Sequence, residues 1–397
     1  MSLRTSILNR VLRNSIPGAK RGVLPGLAWL AGAAVAGTLV LGCVHAPNPD
    51  PRGGPGAGAS PQLLAIATGG KIQLYTVNAS LAASGSSPTP IQTITAPDVQ
   101  SVAIDEKGNM FYLANTGAAG SDASFYSCPA PKAGGSFTCS KVGGTISGAQ
   151  WLAVDPGDKV FVTAAGATAG AVLSFDAATG PGAATKQVYT SAHPPITFGG
   201  LAVDGSDTLY VSELKSTFGG GSLYSCSTAC WLTAGSQTDI TTTVTSQVPN
   251  SAIGGPLAIN FADGITLYVG SANASTSSPE TLPVSLTCTQ GTTPALVCTG
   301  ASATFVMDHG GEINTFDSTV GIAADSDGYT FVPVLLNNFG DTSAVLGPSF
   351  FGFLPSGAQF DCSFTPANCP VNLLPSVPDN STRNAIPYGI AIGLKTS

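Results

Sequence analysis

The sequence predicts an all-β fold, a six-bladed β-propeller closed by a composite blade built from N- and C-terminal strands. Three observations carry the prediction. A strand–turn–strand unit recurs along the chain, the composition is that of short strands joined by tight turns, and the two ends of the body hold strands that complete each other. Of 397 residues, 49 are Gly and 29 are Pro, and only 9% are charged. Apolar residues reach 43% and recur in compact runs, which is too much buried potential for a disordered chain.

The repeat comes first because it decides the architecture. Ser101-Val-Ala-Ile-Asp105 leads through Gly108 to Met110-Phe-Tyr-Leu113, and Trp151-Leu-Ala-Val-Asp155 leads through Gly157 to Val160-Phe-Val162. Gly200-Leu-Ala-Val-Asp204 leads to Leu209-Tyr-Val211, and Pro256-Leu-Ala-Ile-Asn260 leads through Gly264 to Leu267-Tyr-Val269. Gly321-Ile-Ala-Ala-Asp325 leads through Gly328 to Phe331-Val332, and a sixth first strand, Tyr388-Gly-Ile-Ala-Ile392, has no partner after it. The central alanines fall at 103, 153, 202, 258, 323 and 391, a spacing suited to four-stranded blades with loops of unequal length. A small Ala lets the inner strands crowd round an axis, larger side chains fill the space between sheets, and Asp or Asn with Gly makes the turn.

The missing strands of the sixth unit lie at the other end of the body. Leu63-Leu-Ala-Ile66, Lys71-Ile-Gln-Leu-Tyr-Thr-Val77 and Pro90-Ile-Gln-Thr-Ile94 read as second, third and fourth strands. Closing a blade from both termini removes the open sheet edges that an unclosed ring would expose. The propeller is expected to span residues 61–397.

The Gly-Ile/Leu-Ala-Val-Asp…Gly…Leu-Tyr-Val pattern resembles the NHL-repeat type of six-bladed propeller and, more distantly, gluconolactonase-like propellers. The copies depart from NHL repeats after the second strand, where Gly/Ser loops and Cys pairs replace the Asn-x-Arg of that family. The resemblance therefore implies fold, and no binding role is carried over from it.

Residues 1–42 read as an export signal. They carry Arg4, Arg10, Arg13, Lys20 and Arg21, no acidic residue, and an apolar run from Val23 to Gly42. The end of this run, Gly42-Cys43, resembles a bacterial lipoprotein signal, which implies acylation of Cys43. The run is also long enough to span a bilayer, so a retained anchor and simple secretion are the alternatives. Residues 43–60, rich in Pro and Gly, read as a tether. The expected location is the bacterial cell envelope, facing the periplasm or exterior and held to the membrane by the lipid on Cys43. Beyond the signal, 10 Lys and Arg stand against 22 acidic residues, a net charge near −12. An acidic body argues against nucleic acid as a partner.

Nine cysteines leave Cys43 odd and the rest in four close pairs. These are Cys128 with Cys139, Cys226 with Cys230, Cys288 with Cys298, and Cys362 with Cys369. Local disulfides in an oxidising compartment are the reading, since no pair has CxxC spacing and His45, His193 and His309 are scattered.

No catalytic residue, metal site or cofactor is assigned. The repeated Asp105, Asp155, Asp204 and Asp325 sit where the first strand turns, so turn formation explains them better than a carboxylate ring. Asp325-Ser-Asp327-Gly328 looks like part of a calcium loop but lacks the later Glu. The opposite end of the first strands is expected to be the ligand-binding mouth. Candidates there are Asp98, Gln100, Asn115, Gln150, Glu213, Lys215, Asn273, Asn337, Asn338 and Tyr388, with Asp308 and His309 from Met307-Asp-His-Gly-Gly-Glu312. No nucleophile elbow, phosphate loop or dinucleotide fingerprint occurs. The functional expectation is a monomeric binding or scaffold module for a protein, peptide or glycan. The alternatives are a metal-dependent hydrolase or lactonase of the gluconolactonase-like type and a structural envelope protein.

Overall fold

The computed structural model describes residues 62–68, 70–77, 89–96, 98–116, 122–132, 134–165, 170–191, 197–214, 221–233, 236–248, 253–260, 266–270, 281–290, 296–304, 307–308, 312–319, 321–338, 345–353 and 387–394. The body opens with β1 (Gln62–Thr68), β2 (Lys71–Val77) and β3 (Gln92–Thr95). The next sheet holds β4 (Val99–Ile104), β5 (Met110–Asn115), β6 (Asp122–Cys128) and β7 (Ser140–Ser147). Then come β8 (Ala149–Val154), β9 (Lys159–Ala164), β10 (Ala171–Asp176) and β11 (Lys186–Thr190). They are followed by β12 (Thr197–Val203), β13 (Leu209–Leu214), β14 (Gly221–Cys226) and β15 (Thr238–Asp239), with a one-turn helix at Thr241–Thr245. A further four are β16 (Leu257–Ile259), β17 (Leu267–Gly270), β18 (Thr281–Gln290) and β19 (Leu296–Thr304). The last are β20 (Met307–Asp308), β21 (Glu312–Thr319), β22 (Ala323–Ala324), β23 (Thr330–Asn338), β24 (Val345–Phe353) and β25 (Pro387–Leu394).

The chain is an all-β propeller. Five of its sheets are four-stranded antiparallel blades, in the orders β25-β1-β2-β3, β4-β5-β6-β7, β8-β9-β10-β11, β12-β13-β14-β15 and β16-β17-β18-β19. The composite sheet pairs its two ends closely: Leu64 lies opposite Ile392, Ala65 opposite Ala391 and Ile66 opposite Ile390. The innermost strands neighbour one another in the circuit β4, β8, β12, β16, β22, β25, and β25 lies against β4.

Six four-stranded blades were the expectation, and the sheet of β20 to β24 departs from it. There β23 is long and pairs on one edge with both β22 and β21, and on the other with β24. Its inner strand is thus split into β21 and β22, with Gly321 and Ile322 outside the ladder. The residues that would furnish a fourth strand, 354–386, lie outside the described ones.

Strands form here because both faces of each inner sheet are buried, which calls for continuous apolar runs rather than alternation. Met110 to Ala114 are all buried, whereas the outermost strand of the same blade, β7, is mostly exposed. Neighbouring residues serve opposite neighbours. Leu63, Ala65 and Leu74 pack against Val102, Met110 and Tyr112, while Leu64, Ile66 and Tyr75 pack against Tyr329 and Phe331. Phe111 and Phe125 reach the other way, to Val160 and Phe175. Burial pushes the Tyr75 and Tyr112 hydroxyls up to about 12.

Four local disulfides were expected, and three stand among the described residues, at the outer parts of blades. They are Cys128–Cys139, Cys226–Cys230 and Cys288–Cys298. Cys288 and Cys298 are direct cross-strand partners. Such bonds are the mark of an oxidising, extracytoplasmic compartment. The fourth expected bond is not among them, because Cys362 and Cys369 both lie outside the described residues. So does Cys43, the expected site of acylation. Among the described residues no helix is long and apolar enough to cross a membrane.

Candidate functional site

The inner strands enclose an axial channel that carries aliphatic side chains along the strands and acidic ones at the turn end. Ala103, Ala153, Ala202, Ala258, Ala323 and Ala391 all line it, as the repeat requires. At the turn end it opens into a cavity of about 140 Å³ rimmed by Asp105, Glu106, Asp155, Pro156, Asp204 and Gly205. At the opposite end the free volume is about 30 Å³, between Ser101, Trp151, Pro256, Gly321 and Gly389. The wider concavity is therefore at the end opposite to the expected mouth. Trp151 explains the narrowing, since its Nε1 donates to the Phe198 carbonyl at 2.8 Å and fixes the indole across the gap between two blades.

The rim carboxylates are engaged by their own turns. The Asp105 Oδ1 accepts the backbone N–H groups of Lys107 at 2.9 Å and Asn109 at 2.7 Å, and its Oδ2 accepts the Asn109 amide. Asp204 accepts the N–H groups of Ser206 and Thr208, both at 2.9 Å, and the hydroxyls of Ser206 and Tyr210. Asp325 accepts those of Asp327 at 2.9 Å and Tyr329 at 2.8 Å, so its calcium-loop look is that of a turn. Burial raises the carboxyl pKa of Asp105 and Asp155, and the hydrogen bonds oppose the rise. Three residues after each Asp the backbone must turn left-handed. Gly108 and Gly328 do this in two turns, but Asp158 (φ 64°) and Asp207 (φ 61°) do it in two others. Gly157 and Gly205 are thus not the residues that take the strained position, and Asp is among the few side chains that tolerate it.

At the expected mouth the candidates do not converge. Asp98 is an exposed turn residue whose carbonyl accepts the Asn115 N–H at 3.0 Å, and Gln100 beside it buries an Oε1 with no partner among the described residues. Gln150 reaches into the next blade, its Oε1 accepting the Phe198 N–H at 2.9 Å. Glu213 is 3% exposed, and its Oε1 accepts the Tyr189 hydroxyl at 2.6 Å, a bond between blades away from the channel. Burial first, then the Glu213 charge, push the Tyr189 hydroxyl far above its ordinary range. Asp308 and Glu312 are register partners in the β20–β21 hairpin, Asn337 and Asn338 end β23, and Tyr388 lies in β25. Lys215, Asn273 and His309 lie outside the described residues. Among the described residues no three His, Cys, Asp or Glu side chains gather at metal distance.

What sequence reasoning missed is a set of glutamine amides that join neighbouring parts of the ring remote from one another in sequence. Gln62 donates to the Ser326 hydroxyl at 2.6 Å and accepts its N–H at 2.9 Å. Gln92 binds both backbone groups of Phe137, and Gln247 binds the Leu296 carbonyl and the Cys298 N–H. An amide has one donor side and one acceptor side, so it can imitate a stretch of strand without a net charge. Their partners lie 45 to 264 residues away along the chain, where no local pattern points to them.

Compared with known proteins, the chain matches no family model and no curated protein. Solved structures align with it at low identity. A protein from Lactobacillus plantarum aligns at 13% identity over 76% of this chain and 80% of its own, with a TM-score of 0.42. A putative 6-phosphogluconolactonase from Bacteroides uniformis aligns at 11% identity over 75% of this chain and 87% of its own, with a TM-score of 0.41. The Dos1 propeller aligns at 14% identity over 74% and 71%, with a TM-score of 0.36.

Proposed function

We propose that this chain is an extracytoplasmic binding propeller, tethered through a lipid on Cys43 and acting by recognition of a ligand rather than by hydrolysis. The observation that carries the reading is the engagement of the rim carboxylates. Asp105 and Asp204 each hold two backbone N–H groups of their own turn, and Asp155 holds the Lys159 N–H. A lactonase-type metal site calls for carboxylates converging on the axis with free oxygens. The aliphatic side chains along the channel strands point the same way.

The ring itself is proposed to have six blades of NHL-like type, the sixth completed by residues beyond Phe353. The closed circuit of six inner strands supports this count. The disulfides support the extracytoplasmic setting, and the acidic body makes nucleic acid no proposed partner.

Calcium titration of the full-length protein, followed by thermal shift and by hydrolysis of a simple sugar lactone, tests the reading. No shift and no metal-dependent turnover are expected. A calcium-dependent rise in Tm that Asp105→Asn abolishes would establish the hydrolase-type site instead. For the tether, membrane fractionation of Cys43→Ser is expected to release the protein, and retention in the membrane would contradict acylation at that residue.

A further inference from the structure

We propose that a groove between β11 and the Cys226–Cys230 turn is a binding site for a neutral saccharide unit. This rests on the binding reading above but not on the axial mouth. The groove holds about 210 Å³. Its walls are Gln187, Tyr189 and Thr190 on one side and Trp231, Thr233 and Gln237 on the other.

The wall is built rather than incidental. The disulfide ties the last residue of β14 to Cys230, and Trp231 follows at once in a single 3₁₀ turn. The Phe161 ring meets the indole edge-on at 5.4 Å, and the Lys159 Nζ lies 5.1 Å from its centroid. The indole is thus packed against Phe161 and Lys159, and its Nε1 is buried with no acceptor among the described residues. Gln237 donates to the Thr190 carbonyl at 3.2 Å across the groove, and Gln187 donates to the Thr190 hydroxyl at 2.6 Å.

The chemistry of the lining selects the ligand class. Among the described residues no carboxylate or cationic side chain lines the groove, and the Lys159 ammonium over the indole is paired with the Asp155 carboxylate at 3.8 Å. Tyr189 is a neutral phenol whose hydroxyl is already donated to Glu213. What remains is a flat indole with amides and hydroxyls around it. That set complements a ligand with apolar C–H faces and a rim of hydroxyls, each of which can both donate and accept.

An extended peptide added to the outer edge of β11 is the competing occupant, and the edge is unsuited to it. The β10–β11 register slips at Val188, so that edge carries a bulge, and Gln237 already occupies the Thr190 carbonyl. Bulges and capped carbonyls are the means by which sheets refuse an added strand.

Calorimetric titration of the full-length protein with N-acetylglucosamine, its β-1,4 dimer, cellobiose and maltose at millimolar concentration tests the site, with tetra-alanine as the peptide arm. At least one saccharide is expected to bind, and Thr233→Arg, which fills the groove from an exposed position, is expected to weaken it by roughly tenfold or more. Trp231→Ala should do the same. Because Trp231 also packs on Phe161, Thr233→Arg with an unchanged Tm keeps loss of binding apart from loss of fold. Asp98→Ala and Gln100→Ala at the axial mouth should leave saccharide binding unaltered. The proposal is overturned if no saccharide binds, if binding survives Thr233→Arg, or if tetra-alanine is the probe that Thr233→Arg displaces. Saccharide binding lost only in the mouth variants would overturn the groove and leave the general binding reading standing.

Discussion

The two ends of the axial channel are built on different plans. At the turn end, one local device recurs: a buried Asp accepts the N–H groups two and four residues ahead of it, in three different turns. At the other end, each join between blades is individual. Ser101 Oγ accepts the Leu152 N–H, Gln150 and Trp151 share the backbone of Phe198, and Ser212 donates to the Gly255 carbonyl at 2.6 Å. The difference teaches which surface is scaffold. A repeated, self-satisfying turn keeps the ring in shape, while unlike joins let each blade present a different loop.

Substitutions at the two ends should separate these plans, beginning with the larger effect. Gly199 is the bulge residue of β12, and a Cβ there would stand 1.4 Å from the Gly254 carbonyl oxygen, a backbone atom that cannot step aside. Gly199→Ala is therefore expected to lower stability by about 3 kcal/mol or more, read by denaturant unfolding. An unchanged midpoint would mean that β12 and the segment leading into β16 do not approach as closely as described. Asp204→Ala at the turn end leaves two N–H groups, the Ser206 hydroxyl and the Tyr210 hydroxyl without their acceptor, at a cost of about 2 kcal/mol. Asp204→Asn, which keeps one acceptor oxygen, should recover part of it, in line with Asn260 at the same position of the repeat. Equal losses for Ala and Asn would show that the charge itself, and not the turn, is what matters.

Much of the fold was legible because its code is local. A first strand, a turn and a second strand lie within a dozen residues, and the alanine at each centre announces the crowded axis. The pairing of β25 with β1 was legible for the same reason, since each end held a strand whose complement was missing. Three cysteine pairs were legible from their short spacing. What was not legible depends on contacts remote in sequence. The Gln62–Ser326 and Gln92–Phe137 joins, the fixing of Trp151 to the neighbouring blade and the burial of Glu213 against Tyr189 appear only once blades are set side by side. The split inner strand of β21 and β22 was also hidden, because Gly321-Ile-Ala-Ala-Asp325 matches the repeat while only Ala323 and Ala324 enter the ladder. Glu213 shows the limit most plainly. Its place at the end of a second strand suggested a mouth residue, and only the neighbouring blade shows that its carboxylate is turned inward.

The ring is closed by a blade that joins the two ends of the body. Ile390 and Ile392 of β25 pack with Leu64 and Ile66 of β1 and with Phe331 of the preceding sheet, so the last strand holds together parts far apart in sequence. Thermal unfolding of the full-length protein beside a chain ending at Ala385 tests this directly. The shortened chain is expected to lose its single cooperative transition, because one blade loses its inner strand and the ring its seal. A shortened chain that unfolds cooperatively at the same temperature would contradict the closure.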